Sequence, residues 1–401
     1  MKILFTNIQL SHRSGTEIVV RDLAQRFGEA GHEVTIYAPA LGEFANEVRS
    51  DDIRVIDDLR EFDGVPDIIH GHHTLPTAEA IIAFPSVPAI WVCHGAQSWF
   101  DQLPPFTQVR RIFAVDDTCR SRLVTEGVAP ERIDILPNAV DLRRFQTRTT
   151  PLPARPARAV SLVKHSGPIE LIVEACRVKG IPLELHGHGV GRPIGDIERV
   201  FAENDLVFAT ARTALEAMAV GAAVILVDGR GFGGLVTSRN FENGRRLNFG
   251  LGLLKRDPTL ELLIGAIEDY DPLDAAVVSK KVRSEAGLDC LVARLEGIYS
   301  STISQWRPER DFNRETFRAE QIKFNSDWLP RTQAGIPWME EVQRLRNQAT
   351  ELNDVLARRT IELSDRSIEL SECKRVVRSY ESARSVRFAR KLRQWARFWR
   401  G

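Results

Sequence analysis

Residues 205–227 read DLVFATARTALEAMAVGAAVILV, and this stretch decides the class of fold. Two short apolar runs, Leu206–Ala209 and Val224–Val227, flank a segment with helical spacing, Arg212–Val220. Both runs are apolar at every position, as strands are in a parallel sheet that helices cover on both faces. The stretch therefore predicts a strand–helix–strand unit of an α/β fold.

The same alternation of strands and helices runs through about the first 300 residues. Before residue 150, the predicted strands are Ile3–Phe5, Val34–Tyr37, Ile53–Val55, Asp67–His70, Ala89–Cys93, Ile112–Val115 and Ile133–Leu136. A segment with three prolines, Thr147–Pro156, then predicts a linker. We expect one α/β domain over residues 1–150 and a second over residues 151–300.

The chain beyond residue 300 has a different pattern. Residues 301–337 form a polar connector that carries large aromatic residues, and the sequence leaves open whether it packs onto the domains. From Trp338 to Tyr380, apolar residues recur with heptad spacing, which is typical of a coiled coil. A coiled coil over residues 338–380 would allow a homodimer. A single solvated helix that lies on its own domain is the alternative.

Residues 381–401 are predicted to form a basic amphipathic tail. Phe388, Leu392, Trp395 and Trp399 fall on one face of a helix. From residue 374 to residue 401, ten Lys and Arg residues stand against one acidic residue, a net charge of about +9. A basic helix with aromatic anchors suits an anionic membrane surface, and a merely solvated tail is the alternative.

Composition and charge exclude several classes of protein. The 401 residues include 54 Lys and Arg and 54 Asp and Glu, so the overall charge suggests no nucleic-acid partner. No apolar run reaches the ~18 residues of a spanning helix, and the first residues predict a buried strand rather than a signal peptide. Five scattered cysteines predict reduced thiols without a metal site. We expect a cytoplasmic protein, with peripheral attachment at the inner membrane through the tail.

Two predicted strand ends and one loop carry candidate ligand contacts. Gly15 and Glu17 lie at a helix N-terminus after the first strand, where backbone amides favour an anion; Glu17 can equally complement the helix dipole. His72 and His94 lie at the carboxyl ends of strands, the edge at which open α/β sheets bind ligands. His94 can hydrogen-bond or polarise a substrate hydroxyl. A zinc site and a purely structural role are the alternatives for these histidines.

Two further polar residues are candidates for ligand binding. Asn138 stands in a Pro-Asn-Ala-Val-Asp turn, where it can also be a simple turn residue. Glu216 lies early in a helix that follows a strand, where its carboxylate can accept two hydrogen bonds from ribose hydroxyls. We expect Glu216 to be partly exposed in a cleft, so that Glu216→Ala changes stability little.

These residues together make the chain resemble the GT-B glycosyltransferases of family 4. Five family motifs have counterparts at compatible spacing over about residues 1–300. They are Ser14–Glu17 for Gly-Gly-x-Glu, Ile69–His72 for Ile-His-x-His, Val92–Gly95 for Thr-x-His-Gly, Pro137–Asp141 for Pro-Asn-Gly-Val-Asp, and Glu216–Gly221 for Glu-Ala-Met-Ala-x-Gly. The last two are the most specific.

The resemblance implies two Rossmann-like domains that face a cleft, the first for the acceptor and the second for a nucleotide-diphosphate sugar. By the same resemblance, Glu216 holds the ribose, Lys164 and Arg212 hold the diphosphate, and His94 contacts the transferred sugar. The implied reaction transfers a hexose with retention of configuration and without a metal or other cofactor. The acceptor would be a glycan or a lipid-linked molecule in cell-surface polysaccharide or glycoconjugate synthesis.

One departure from the family leaves other functions open. The family pairs two glutamates in a Glu-x7-Glu pattern, but Phe208 stands eight residues before Glu216. A catalytically lapsed GT-B module, which binds nucleotide or glycan and scaffolds partners through the coiled coil, is therefore an alternative from another class. A sugar-nucleotide epimerase of the same fold is a third reading. It would need a pair of acid/base carboxylates in the cleft, which the sequence does not reveal.

Deleting the residues after Cys373 should release the protein from anionic vesicles and leave nucleotide binding unchanged. Each basic residue near such a surface contributes about 1 kcal/mol, which salt screens. Each large apolar side chain that the membrane buries adds roughly 1.5–3 kcal/mol. Vesicle co-sedimentation at low and high salt measures the effect. Equal binding of the full-length and truncated proteins would show that the tail is solvated or serves a protein partner.

Overall fold

The computed structural model describes residues 1–162, 168–186, 196–328, 359, 373–374 and 388–394. Lys164, most of the predicted coiled coil and most of the predicted tail lie outside the described residues. The described residues from 1 to 328 belong to one compact unit, which contains both sheets.

The first sheet has seven parallel strands. They are β1 (Lys2–Thr6), β2 (Glu33–Tyr37), β3 (Arg54–Ile56), β4 (Ile68–His72), β5 (Ala89–Cys93), β6 (Val109–Ala114) and β7 (Ile133–Ile135). Their order is β3-β2-β1-β4-β5-β6-β7. The helices that follow them are α1 (Gly15–Glu29), α2 (Glu43–Ser50), α3 (Thr74–Ala83) and α4 (Asp117–Thr125). Ile3, Leu4 and Phe5 are fully buried, as expected for a strand with both faces covered.

The second sheet has five strands, in the order β12-β11-β10-β8-β9. They are β8 (Ala159–Ser161), β9 (Leu183–Leu185), β10 (Leu206–Ala209), β11 (Ala223–Asp228) and β12 (Gly231–Leu235). Four strands are parallel, and β12 pairs antiparallel with β11. The helices of this part are α5 (Ile169–Lys179), α6 (Ile197–Glu203), α7 (Ala211–Val220), α8 (Phe241–Arg246), α9 (Leu260–Glu268) and α10 (Pro272–Glu285). The predicted α/β class is confirmed in both sheets.

The strand–helix–strand unit predicted from residues 205–227 is confirmed as β10, α7 and β11. The two strands are parallel neighbours and α7 packs against both of them. Gly221 ends the helix with a φ of +105°, a left-handed conformation that glycine adopts without strain. One residue, Thr210, separates β10 from α7.

Phe208 is a core residue of β10, fully buried and paired with Ile225. Because the β10–α7 connection is one residue long, the position eight residues before Glu216 lies inside the strand. The residue that stands at the position of the family's first glutamate is therefore a core side chain of β10.

The chain returns to the first sheet after the second sheet is complete. Val278 and Val282 of α10 lie in the core of the second sheet. By contrast, α11 (Leu288–Gln305) contributes Leu295 and Tyr299 to the core of the first sheet. The short helix α12 (Pro308–Asp311) follows, and residues 314–328 are helical.

The described part of the predicted connector packs onto the first domain. Phe317, Phe324 and Trp328 belong to the core of the first sheet, and Nε1 of Trp306 donates a hydrogen bond of 2.6 Å to the Ser86 carbonyl oxygen. The sequence left open whether this connector packs onto the domains, and for residues 301–328 the structure shows that it does. The domain boundaries at residues 150 and 300 stay predictions.

A second unit of the chain contains the predicted coiled coil and tail. Its described residues 388–394 are helical, with Phe388 and Leu392 exposed. The coiled coil itself stays a prediction. None of the helices in the described part of the chain combines the length and the apolar character that crossing a membrane requires.

Leu295→Ala should lower the free energy of unfolding by about 2–5 kcal/mol, because it opens a cavity in the core of the first sheet. Leu295 is 0% exposed in that core. Leu273→Ala is the matched control: Leu273 is 79% exposed on α10, so the expected change is within about 0.5 kcal/mol. Denaturant unfolding followed by circular dichroism measures both. Equal, small effects would contradict the packing of α11 on the first sheet.

Candidate functional site

Histidines gather at one edge of the first sheet. β4 ends at His72 and His94 follows β5, and these parallel neighbours end at the same edge. Nδ1 of His72 lies 2.6 Å from Nε2 of His94, so one imidazole donates a hydrogen bond to the other. The two rings also stack, with centroids 4.8 Å apart. The structure therefore brings together the two histidines that the sequence singled out.

A third histidine and a tyrosine fix the orientation of these rings. His70, two residues before His72 on the same face of β4, stacks on it with ring centroids 4.6 Å apart. Nδ1 of His70 lies 2.5 Å from the hydroxyl of Tyr299, and both residues are fully buried. The position of His94 thus depends, through His72 and His70, on helix α11.

Burial keeps the stacked histidines neutral. It lowers the pKa of His70 to about 3 and that of His94 to about 4, and it lowers the pKa of His72 well below its ordinary value. A neutral imidazole can donate one hydrogen bond and accept another. His94 is thereby suited to a hydroxyl group of a ligand more than to an anion.

His73 connects this edge to the loop that follows β1. It precedes α3 with a φ of +65°, and its Nδ1 lies 3.1 Å from Oδ1 of Asp101. Nε2 of the same ring lies 3.4 Å from Oγ1 of Thr16 in the first turn of α1. The β1–α1 loop and the histidine edge are therefore parts of one hydrogen-bonded region.

Glu17 organises the β1–α1 loop. Its carboxylate is buried and accepts hydrogen bonds from Gln9 and Thr16, each at 3.1 Å, and from the Ser14 hydroxyl. A Cβ atom at Gly15 would meet nothing within 4 Å, so close packing does not require glycine there. A ligand contact of Gly15 or Glu17 stays a prediction, and Glu17 has a structural role in the loop.

Arg212 forms a buried ion pair that crosses from the second domain to the first. Its Nε donates to Oε1 of Glu216 at 2.7 Å, and its Nη2 donates to Oδ2 of Asp22 in α1 at 2.5 Å. All three residues are buried. Burial alone would lower the pKa of Arg212, but the Glu216 and Asp22 carboxylates more than offset it, so the pKa is raised and the guanidinium stays charged.

The expectation that Glu216 is partly exposed is wrong. The residue is 6% exposed, because Arg212 draws its carboxylate into the interface between the domains. Removing one partner of a buried ion pair typically costs about 3–5 kcal/mol. The variant Glu216→Ala is therefore not neutral for stability, and a polar replacement of the same shape is the better probe of function.

A small cavity of about 30 Å³ lies where these groups converge. Its lining residues come from both domains and include Asp22, His70, His72, His94, Asn138 and Arg212. Asn138 is held in place by its backbone: its N–H donates to Oδ1 of Asn248 at 3.3 Å and its carbonyl accepts from Arg245 at 2.8 Å. Four of the predicted site residues, His72, His94, Asn138 and Arg212, thus share one cavity.

Several polar atoms in this region have no hydrogen-bond partner among the described residues. They are Nε2 of His70, Nε2 of His72 and Nη1 of Arg212, all buried. Buried polar groups are almost always paired, with protein, water or ligand. The unpaired nitrogens therefore mark the cavity as a place for oxygen atoms of a ligand or of water. Within the described ranges, no group of three or more His, Cys, Asp or Glu side chains is arranged to hold a metal ion.

Sequence reasoning missed three residues of this region, namely Asp22, Asp101 and Tyr299. For Asp22 the signal was weak, because Ile18 and Val19 precede it on the same helix face but the polar Gln25 and Arg26 follow it there. For Tyr299 none existed, since its partner His70 lies 229 residues away in the chain.

Two comparisons with known proteins, one of sequence and one of structure, support the predicted resemblance. Residues 13–144 match the sequence model of Glycosyltransferase Family 4, and no curated protein matches the chain. Three crystal structures of Anabaena Alr3699/HepE, with UDP and glucose, with UDP, and with UDP-glucose, have TM-scores of 0.54, 0.54 and 0.52. Each is 14% identical and covers 75% of this chain and 100% of the other. The predicted resemblance to GT-B glycosyltransferases of family 4 is confirmed by the match over residues 13–144 and by the shared fold.

His70→Gln should flatten the dependence of stability on pH. Between the unfolded pKa of about 6.5 and the folded pKa of about 3, only the unfolded chain binds a proton at His70, so stability falls as the pH falls. The wild type should lose, through this one group, about 1.4 kcal/mol per pH unit between pH 6 and pH 4. Urea unfolding at several pH values measures the slopes. Parallel curves for the two proteins would contradict the neutral, buried His70.

Proposed function

We propose that the protein is a glycosyltransferase that uses a nucleotide-diphosphate sugar, and that UDP-sugars are its donors. The observation that carries this proposal is the cavity in which Arg212 of the second domain meets His72 and His94 of the first. The family match over residues 13–144 and the fold shared with HepE, whose structures contain UDP and UDP-glucose, support the same class of reaction.

Four side chains recognise the donor in this proposal. Glu216 accepts hydrogen bonds from the ribose, and Arg212 binds the diphosphate, because a guanidinium matches phosphate oxygens in a bidentate geometry. Lys164 is the proposed second cation for the diphosphate. His94, neutral and held by His72, hydrogen-bonds a hydroxyl group of the transferred sugar.

The finer features of the reaction rest on the family resemblance. We infer transfer of a hexose with retention of configuration, without a metal, the charge on the leaving diphosphate being stabilised by Arg212 and Lys164. The proposed acceptor is a glycan or a lipid-linked molecule of cell-surface polysaccharide or glycoconjugate synthesis. The charge of about +9 beyond residue 373 supports attachment to an anionic membrane, and the heptads over residues 338–380 support a homodimer.

A second candidate function is a lapsed GT-B module that binds a nucleotide or glycan and scaffolds partners. The observation that favours it is the engagement of Glu216 by Arg212 in a buried ion pair, together with the burial of Phe208 at the position of the family's first glutamate. The two candidates differ in turnover, since only an enzyme releases UDP from a UDP-sugar in the presence of an acceptor.

Thermal unfolding with UDP-, GDP- and dTDP-sugars tests the donor, and Glu216→Gln tests the site. This variant keeps the shape of the side chain but removes its charge, so UDP and uridine should both bind more weakly, by about 1.5–3 kcal/mol. Isothermal calorimetry measures the affinity for UDP and an NMR titration measures that for uridine.

Glu242→Gln is the matched control for this experiment. Glu242 lies on α8, is exposed, and pairs with Lys281 at 3.0 Å, so its loss should leave both affinities unchanged. Unchanged affinity in Glu216→Gln would remove Glu216 from the site. Stabilisation by none of the three nucleotide sugars would sink the proposed function.

A further inference from the structure

We propose that Asp22 is a specificity-determining residue, which occupies the place of the donor's diphosphate on Arg212 and is exchanged for it when the donor binds. The inference rests on the proposed function, because it names how the same site selects a diphosphate. Its starting point is the ion pair that joins α1 to α7 across the two domains.

The guanidinium of Arg212 has two edges, and they are used differently. Nε is bonded to Glu216, which lies one helical turn further along α7. The outer edge carries Nη2, which is bonded to Asp22, and Nη1, which is buried and has no partner among the described residues. A phosphate group binds a guanidinium through two adjacent N–H groups. The outer edge is thus half occupied, and Asp22 is the group that a phosphate would replace.

The size of the cavity makes such an exchange necessary. Sites for small ligands and cofactors usually enclose about 300–1,000 Å³. The cavity beside Arg212 has about 30 Å³, so the donor cannot reach the guanidinium until the interface at Asp22 opens. An open groove of about 510 Å³, lined by Arg21 and Arg144 among others, supplies the missing room. Arg21 joins the two spaces, because it lines the groove and pairs with Asp22.

Asp22 does not lose all its partners in this exchange. Its Oδ1 lies 3.2 Å from Nη1 of Arg21, while Oδ2 contacts Arg212. When a phosphate takes its place on Arg212, Asp22 keeps Arg21 as counter-ion, so no buried carboxylate is left unpaired. A neutral ligand carries no negative charge that could replace the Asp22 carboxylate on Arg212. The site is therefore expected to favour ligands that carry a diphosphate over those with the same base and sugar alone.

Asp22→Asn tests this inference because it removes the competing charge and keeps the shape of the side chain. UDP should bind about tenfold more tightly, since its diphosphate no longer displaces a carboxylate from Arg212. Uridine, which carries no phosphate, should bind with unchanged affinity. Calorimetry with UDP and an NMR titration with uridine give both values, and circular dichroism verifies folding. If Asp22→Asn does not fold, Asp22→Ser replaces it with the same expectations.

Asp117→Asn is the matched control. Asp117 of α4 also forms an ion pair with an arginine of the second domain, Arg246, at 2.6 Å, but it lies outside the cavity lining. Its substitution removes the same charge from the same interface and should change neither affinity. A merely structural role of Asp22 would shift UDP and uridine binding by the same factor.

The outcomes separate this inference from the proposed function. Tighter binding of UDP alone, seen in Asp22→Asn and not in Asp117→Asn, supports both. The role of Asp22 is overturned, and the donor class stands, if the wild type binds UDP but Asp22→Asn binds it no more tightly. The same conclusion holds if Asp22→Asn changes the affinities for UDP and uridine alike, or if Asp22→Asn and Asp117→Asn change the affinity for UDP alike. If neither wild type nor variant binds UDP, the proposed function fails and this inference fails with it.

Discussion

A buried positive charge at Arg212 is the constraint on which the arrangement of the two domains depends. A guanidinium removed from water must be matched by carboxylates, and here one comes from its own helix and one from α1 of the first domain. The ion pair with Asp22 joins α7 to α1, and Arg212 lines the same cavity as His72 and His94. Arg212 therefore contributes both to the lining of the cavity and to the packing of the two domains.

The histidine edge depends on a similar long-range requirement. A stack of neutral imidazoles needs hydrogen-bond partners that do not charge it, and the hydroxyl of Tyr299 supplies one to His70 at 2.5 Å. Because Tyr299 belongs to α11, the orientation of His94 is set by a segment that enters the first core after the second sheet is complete. His94, which is proposed to contact the donor, is thus connected through His72 to residues that stabilise the core.

The spacing of apolar residues predicted the elements whose structure depends on neighbouring residues in the chain. The unit β10–α7–β11 follows from continuous apolar runs around a helical segment, and His72 and His94 could be expected at strand ends that parallel topology brings together. Asn138 was a candidate through its turn motif, and Arg212 only through the family resemblance. The burial of Glu216 could not be predicted, since its partner Arg212 is itself paired with Asp22, 190 residues away in the chain. The sequence predicted the helix α11 but could not predict that it packs on the first sheet. Periodicity identifies the apolar face of a helix and not the element that covers this face.

The return of α11 has a consequence for synthesis on the ribosome. The strands of the first sheet are complete by residue 135, but Leu295 and Tyr299 are translated roughly 160 residues later, a delay on the order of 10–30 s at ordinary elongation rates. During that interval α11 cannot cover the apolar surface of the first sheet on which Leu295 and Tyr299 later pack. Exposed apolar surface of this kind favours aggregation and chaperone binding, so the first domain depends on a helix that is synthesised only after the second sheet.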